Sequence, residues 1–163
     1  MKKVKKIFPA LVVLSWLYVV FIMLQPVEIV AVHQNNILVR HFPLTDKGKI
    51  SWWKRNRVAI KEKFGLPEEY EDSGTKMVYI WDFGKGYEIE KPDETTFFPS
   101  DDTDHLRCFE EIKAAERCIR KENLLMFLGR SSTGITRYRT GGLVYYQKTG
   151  GPLILEKRVF DAH

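Results

Sequence analysis

The feature that most constrains this chain is an uncharged, apolar run of 18 residues, 7–24, close to its N-terminus. As an α-helix this run would be about 27 Å long, which matches the hydrocarbon core of a bilayer. Four lysines precede it, whereas the fifteen residues after Gln25 contain one basic residue, Arg40. Because the cytoplasmic flank of a span carries the excess of lysine and arginine, we predict one transmembrane helix with its N-terminus in the cytoplasm.

The predicted organisation is a basic cytoplasmic tail at 1–6, a transmembrane helix at 7–25 and one extracytoplasmic domain at 27–163. The lipid bilayer is the predicted partner of residues 7–24, and the anchor residues are Ile7, Leu11, Leu14, Val20 and Leu24. A cleavable signal peptide is the alternative, because such peptides also begin with basic residues. The run is longer than the usual apolar region of a signal peptide and no small-x-small cleavage motif follows it, so we favour an uncleaved anchor.

The rest of the chain is close to electrically neutral. Four of the 26 lysine and arginine residues precede the apolar run, so the remaining 22 nearly balance the 21 aspartate and glutamate residues. A domain with this balance lacks the positive field of a nucleic-acid-binding protein, and we predict no nucleic-acid partner. The chain is 44% hydrophobic and 13% aromatic, which predicts a folded domain with a core and excludes wholesale disorder.

Residues 44–67, LTDKGKISWWKRNRVAIKEKFGLP, carry the best-marked helix signal of the domain. Thr45 or Asp46 can cap its start, and Gly65 can end it in a left-handed conformation. One apolar stripe contains Ile50, Trp53, Ile60 and Phe64. Trp52 falls at the edge of that stripe among basic residues, a mixture that suits a membrane-surface helix as well as a helix packed on a sheet. We favour the second interpretation.

The remaining patterns predict an α+β domain. Alternating β-branched residues around Asn35 and Asn36 predict a hairpin, residues 77–82 predict a central strand, and residues 124–160 predict a terminal antiparallel meander. A second helix is predicted over 105–118, with an apolar stripe of Leu106, Phe109, Ile112 and Ala115. The expected fold is therefore one transmembrane helix followed by a small domain with a mostly antiparallel sheet and two helices.

Cys108 and Cys118 fall on the non-cytoplasmic side of the predicted membrane, where a disulfide can persist. In one unbroken helix their Cα atoms would be about 15 Å apart, whereas a disulfide requires about 5.5 to 6 Å. The predicted second helix must therefore end between them if they pair. Two buried free thiols are the alternative.

The sequence contains no constellation that matches a catalytic or metal site. The four histidines are scattered, and GRSSTG at 129–134 lacks the lysine of a P-loop and the spacing of a nucleophile elbow. We therefore predict no enzymatic activity, no cofactor, no metal and no small-molecule substrate.

Two segments are candidates for binding an unknown protein partner. The sequence RYRTGGLVYYQK interleaves basic and aromatic residues, which are enriched at protein interfaces, although ordinary solvent-facing strands could show the same pattern. The acidic connection at 90–104 carries two adjacent phenylalanines. The candidate partner-binding residues are Phe97, Phe98, Arg137, Tyr138, Arg139, Tyr145 and Tyr146.

The segment VRHFPLTDKGKISWWKRNRVAIKEKFGLP at 39–67 is combined in this chain with a lysine-rich start, a single span and the dipeptide Arg117–Cys118. In these features the chain resembles, over nearly its whole length, a family of enterobacterial membrane proteins of unknown function. PLTDKGKISWW is the most specific block. The resemblance implies a single-pass protein of the bacterial inner membrane with a periplasmic C-terminal domain, and it implies no reaction.

We expect a periplasmic protein-binding domain. One version is an immunity-type protein that neutralises a delivered toxin. The alternative is an accessory or assembly subunit of an envelope complex that acts through its transmembrane helix.

Overall fold

A computed structural model describes residues 12–16, 18, 25–66, 77–91 and 103–158. The α+β class is confirmed. The elements are β1 (Glu28–His33), β2 (Asn36–Arg40), α1 (Asp46–Phe64), β3 (Met77–Asp82), β4 (Glu88–Ile89), β5 (Leu106–Cys108), β6 (Glu116–Arg120), a 3₁₀ turn (Lys121–Asn123), β7 (Leu124–Arg130), β8 (Ile135–Thr140), β9 (Leu143–Lys148) and β10 (Leu153–Arg158).

Part of the predicted span is described. Residues 12–16 and residue 18 are helical, and their large apolar side chains, including that of Leu14, are 53 to 71% exposed. None of the helices within the described residues combines the length and the apolarity that crossing a bilayer requires. The anchor residues Ile7, Leu11, Val20 and Leu24 lie outside the described residues, as do Phe97 and Phe98.

A seven-stranded sheet in the order β1-β2-β3-β7-β8-β9-β10 organises the domain. Strands β2 and β3 pair in parallel, and each other neighbouring pair is antiparallel. The predicted mostly antiparallel sheet, the central strand and the terminal meander are thus confirmed. The parallel pair follows from α1, because a strand that leaves the sheet through a covering helix re-enters it in the same direction.

Helix α1 covers one face of this sheet, and its boundaries match the predicted caps. The Thr45 side chain accepts a hydrogen bond from the Gly48 backbone N–H at 3.1 Å, and Gly65 ends the helix with a φ of 62°. A Cβ at Gly48 would lie 2.8 Å from the Thr45 hydroxyl oxygen and 3.0 Å from Pro43 Cβ. Glycine is therefore needed inside the first turn for this cap to form.

Both adjacent tryptophans are buried beneath α1. Trp53 is 2% exposed, as its stripe predicts, but Trp52 is also buried, at 8%, because the ring of Phe42 packs edge-on against it with 5.1 Å between centroids. Phe64 lies at the exposed end of the stripe instead. Trp52 therefore contacts protein, and α1 is a helix packed on the sheet, as favoured from the sequence. The core on this side contains Ile37, Val39, Ile50, Trp53, Ile60, Val78, Ile80, Met126, Leu128 and Tyr138.

The prediction of a second helix is wrong. Residues 105–118 contain no helix; they form β5 and the start of β6, which belong to a three-stranded sheet in the order β4-β6-β5. Cys108 lies directly opposite Cys118 in the β5–β6 ladder, and the two form a disulfide. The disulfide pairing is confirmed. The ladder brings the two Cα atoms to 3.9 Å, which a helix through both residues could not do.

The small sheet covers part of the second face of the large sheet, which we call the outer face. A second core lies between the two sheets and contains Leu38, Trp81, Phe83, Phe109 and Ile119. The β1–β2 hairpin is confirmed, but its turn lies at Gln34 and Asn35, one residue earlier than predicted. Asn36 belongs to β2, where it is buried and accepts a hydrogen bond from the Trp81 indole at 3.0 Å.

Candidate interaction surface

The outer face is covered over β1 to β3 and remains exposed towards β10. The core beneath the small sheet extends to Leu124 at the start of β7. Beyond that point Arg137 and Arg139 of β8 point outward and are exposed, whereas the alternate residues of the strand are buried. We call the remaining area the open face. It consists of the outward-facing residues of β3 and β7 to β10: Met77, Tyr79, Phe127, Gly129, Ile135, Arg137, Arg139, Val144, Tyr146 and Ile154.

Strand register brings three of the predicted partner-binding residues together on the open face. Arg137 lies opposite Tyr146, and Arg139 lies two residues further along the same strand. The predicted assignment of Tyr138 and Tyr145 to this surface does not fit the structure, because strand alternation directs their side chains to the α1 side. Tyr138 is 2% exposed in the core.

Tyr145 instead anchors the start of α1. Its hydroxyl donates a hydrogen bond to an Asp46 carboxylate oxygen at 3.4 Å. Burial, followed by the nearby negative charge of Asp46, raises the pKa of Tyr145 above its usual value. The phenol therefore stays protonated at neutral pH and acts as a donor to the helix terminus.

An aromatic and cationic row crosses the open face. The rings of Tyr79 and Phe127, paired across β3 and β7, stack with 5.8 Å between centroids. The guanidinium carbon of Arg139 lies 5.0 Å from the centroid of the Phe127 ring, within the range of a cation–π contact. Arg137 forms an ion pair with Glu156 at 3.4 Å. Stacked aromatic rings and arginines of this kind are typical of protein interfaces.

A cavity of about 150 Å³ opens beside this row. Its apolar walls are Met77, Phe127, Ile135 and Val144, and Ser131, Arg137 and Arg139 also line it. Gly129 lies between Met77 on one neighbouring strand and Arg137 on the other. Because Gly129 has no side chain, the open face has a depression at this position.

Seven residues of the open face were not predicted from the sequence: Met77, Tyr79, Phe127, Gly129, Ile135, Val144 and Ile154. A usable signal was present for Met77 and Phe127. Met77 alternates with Tyr79 on one side of β3. In LLMFLGR, the two-residue period of a strand places Phe127 on the side opposite to Met126 and Leu128. Which side of β7 stays uncovered depends on where α1 packs. The periodicity of the β7 sequence does not encode the position of α1.

Two other clusters are less suited to binding a partner. On the α1 side, Lys54, Arg57, Arg130 and Lys148 line a larger cavity of about 360 Å³. Arg57 and Arg130 are already engaged in interactions within the chain, and Arg130 donates a hydrogen bond to the Thr149 hydroxyl at 2.8 Å. This groove therefore has less capacity for a new anionic ligand than its charge alone indicates.

The second cluster joins the two sheets. One nitrogen of His33 lies 3.0 Å from Glu111 and the other lies 2.6 Å from the Tyr87 hydroxyl, while the His33 ring stacks on Phe109. Burial, followed by the charge of Glu111, raises the pKa of Tyr87. The protonated phenol can donate to His33, so this cluster is a polar clamp between β1 and the small sheet.

A carboxylate also lies beside the disulfide. Glu90, Cys108 and Cys118 bring their ligand atoms within 4.8 Å of one another. Sulfur atoms in a disulfide cannot act as thiolate metal ligands, and Glu90 accepts a hydrogen bond from Arg117 at 2.7 Å. This ion pair raises the pKa of Arg117.

The family model described as "Enterobacterial putative membrane protein (DUF943)" matches residues 1–157. The chain belongs to this family. The resemblance seen in PLTDKGKISWW and the lysine-rich start is therefore confirmed. No curated protein and no solved structure matches the chain significantly. The family description names no activity.

Proposed function

We propose that this family member is a single-pass inner-membrane protein whose periplasmic domain binds another protein through the open face. The observation that carries the proposal is the row formed by Tyr79, Phe127 and Arg139 next to an apolar cavity. The few residues that dominate the binding energy of protein interfaces are enriched in tryptophan, tyrosine and arginine. A sheet face with this composition is better suited to binding a partner than to contact with solvent alone.

Two features support the proposed topology. The apolar run of residues 7–24 is followed almost at once by β1, which begins at Glu28, so the domain would sit close to the membrane surface. The disulfide between Cys108 and Cys118 suits the periplasm, because disulfides are rare in the reducing cytosol. A reporter that is active only in the periplasm, fused after His163, should be active, and activity of a cytosolic reporter there would refute the topology.

Photocrosslinking in native membranes tests the binding proposal. The full chain would carry a benzophenone residue at Ile154 or at Leu155, which are adjacent, 42% and 50% exposed, and on opposite sides of β10. We expect a discrete protein adduct from position 154, on the open face, and none from position 155. Equal adducts from both positions, or no adduct from either, would contradict the proposal.

An immunity-type role is one specific version of this function. It predicts that the position-154 adduct contains a toxin delivered to the periplasm or inner membrane, and that deletion of the chain sensitises cells to that toxin. The alternative is an accessory or assembly subunit that acts through its span. Replacing residues 7–24 with an unrelated span separates the two, because the open-face proposal predicts that the adduct persists.

A further inference from the structure

We infer that the open face recognises an extended, acidic segment of its partner, in which a carboxylate pairs with Arg139 and an apolar side chain enters the cavity at Gly129. This inference rests on the proposed function and specifies the chemistry of its ligand. Three observations support it. Arg139 is stacked on Phe127 and has no carboxylate partner among the described residues. Gly129 has no side chain, and the two residues are diagonal neighbours in the sheet.

Arg139 is held in position without a carboxylate partner among the described residues. Its guanidinium lies over the Phe127 ring, whereas Arg137, two residues earlier on the same strand, is paired with Glu156. Stacking on an aromatic ring leaves the planar N–H edge of a guanidinium available for a bidentate contact with a carboxylate. The open face therefore presents one oriented cation that can be matched by an acidic group of a partner.

Gly129 supplies the neighbouring depression. Glycine inside a strand weakens it and often marks a position where a ligand or another chain approaches closely. The adjacent walls, Met77, Phe127 and Val144, are apolar, which favours an aliphatic or aromatic side chain in the depression. These three side chains have no hydrogen-bonding groups that a polar ligand would have to satisfy, apart from the weakly accepting sulfur of Met77.

The spacing fits an extended segment. Arg139 pairs with Phe127, and Gly129 lies two residues beyond Phe127 on β7, so Arg139 and Gly129 are diagonal neighbours about 7 to 8 Å apart. In an extended chain, residues i and i+2 are about 6.6 Å apart and point to the same side. The recognised pattern is thus one acidic and one apolar residue separated by a single residue.

Selection from a random peptide phage library tests this pattern on the full chain held in nanodiscs. We expect enriched peptides with Asp or Glu two residues from a large apolar residue. Arg139→Glu should weaken their binding about tenfold or more, because a charge-assisted contact is lost and replaced by repulsion. The matched control is Arg107→Glu on the exposed side of β5 in the small sheet, which should leave binding unchanged.

Gly129→Val is the second variant. Valine suits a strand, so the thermal midpoint should not fall, yet the filled depression should abolish peptide binding. If this variant does not fold, Arg139→Lys replaces it: the charge is kept but the planar fork is lost, and binding should weaken by less than with Arg139→Glu.

Enriched peptides without an acidic residue, or peptides that bind Arg139→Glu as well as the original chain, would overturn the inference. The proposed function fails separately. If position 154 still gives its adduct in the Arg139→Glu variant, the open face binds a protein by other chemistry. If position 154 gives no adduct at all, the binding function itself is wrong.

Discussion

Loss of the disulfide between Cys108 and Cys118 should lower the free energy of unfolding by about 2.7 kcal/mol. The bond closes a loop with a sequence separation of 10 residues. In the chain-entropy model, closing such a loop lowers the entropy of the unfolded chain and raises its free energy by about 2.7 kcal/mol at 25 °C. The total stability of a domain is about 5 to 15 kcal/mol, so the bond would account for a large share of it.

The part of the domain that this loss would destabilise is the contact between the small sheet and the large sheet. The β5–β6 hairpin carries Phe109 and Ile119 against Leu38 and Trp81 in the core beneath the small sheet. Without the bond the hairpin is held by short strands, by this core and by the polar contacts of His33 with Glu111 and of Arg117 with Glu90. Trp81, which is buried at this contact, provides a fluorescence signal for separation of the sheets.

The measurement is urea unfolding of the full chain in nanodiscs, with and without reductant during equilibration. With a denaturant slope of about 1.5 kcal/mol/M, the expected difference in midpoint is about 1.8 M. The Cys108→Ala/Cys118→Ala double variant is the control, and its midpoint should not respond to reductant. A reductant-dependent shift of less than about 0.3 M in the original chain would refute the reasoning.

Three further predictions concern single side chains. Asn36→Ala should cost about 1 to 3 kcal/mol in urea unfolding, because it leaves the buried Trp81 indole N–H without its acceptor; the same change in a Trp81→Phe background should cost less. Thr45→Ala should cost about 1 kcal/mol through loss of the α1 cap, and Thr45→Ser should restore most of it. Burial raises the pKa of Tyr87, so the unfolded chain loses the phenol proton first as pH rises above about 10. The free energy of unfolding should therefore fall between that pH and the folded-state pKa by at most about 1.4 kcal/mol per pH unit. Tyr87→Phe should make this fall shallower, and an unchanged slope would contradict the assignment.

Local signals were sufficient wherever the determining residues are close together in the chain. The limits of α1 follow from Thr45 and Gly65, which act within one helical turn. The strands of the meander follow from alternation between glycine-containing turns at 131–134 and 141–142. These elements could be predicted because their main constraints are backbone conformation and short-range hydrogen bonds.

The error over residues 105–118 shows the limit of periodicity. Leu106, Phe109 and Ile112 are spaced as on a helix, and they do contact the interior, but from a strand and a loop. The pairing of Cys108 with Cys118 was the stronger constraint, since it is incompatible with one continuous helix. Packing against Leu38 and Trp81, which are distant in sequence, then selected strands.

The composition of the open face was decided only in three dimensions. Arg137, Arg139 and Tyr146 could be recognised as interface residues from their types, but Tyr138 and Tyr145 share that pattern and point to the α1 side. Which side of a strand is covered depends on where α1 and the small sheet pack. Propensity and periodicity act over a few neighbouring residues, whereas layer assignment depends on apolar area buried between segments that are far apart in the chain.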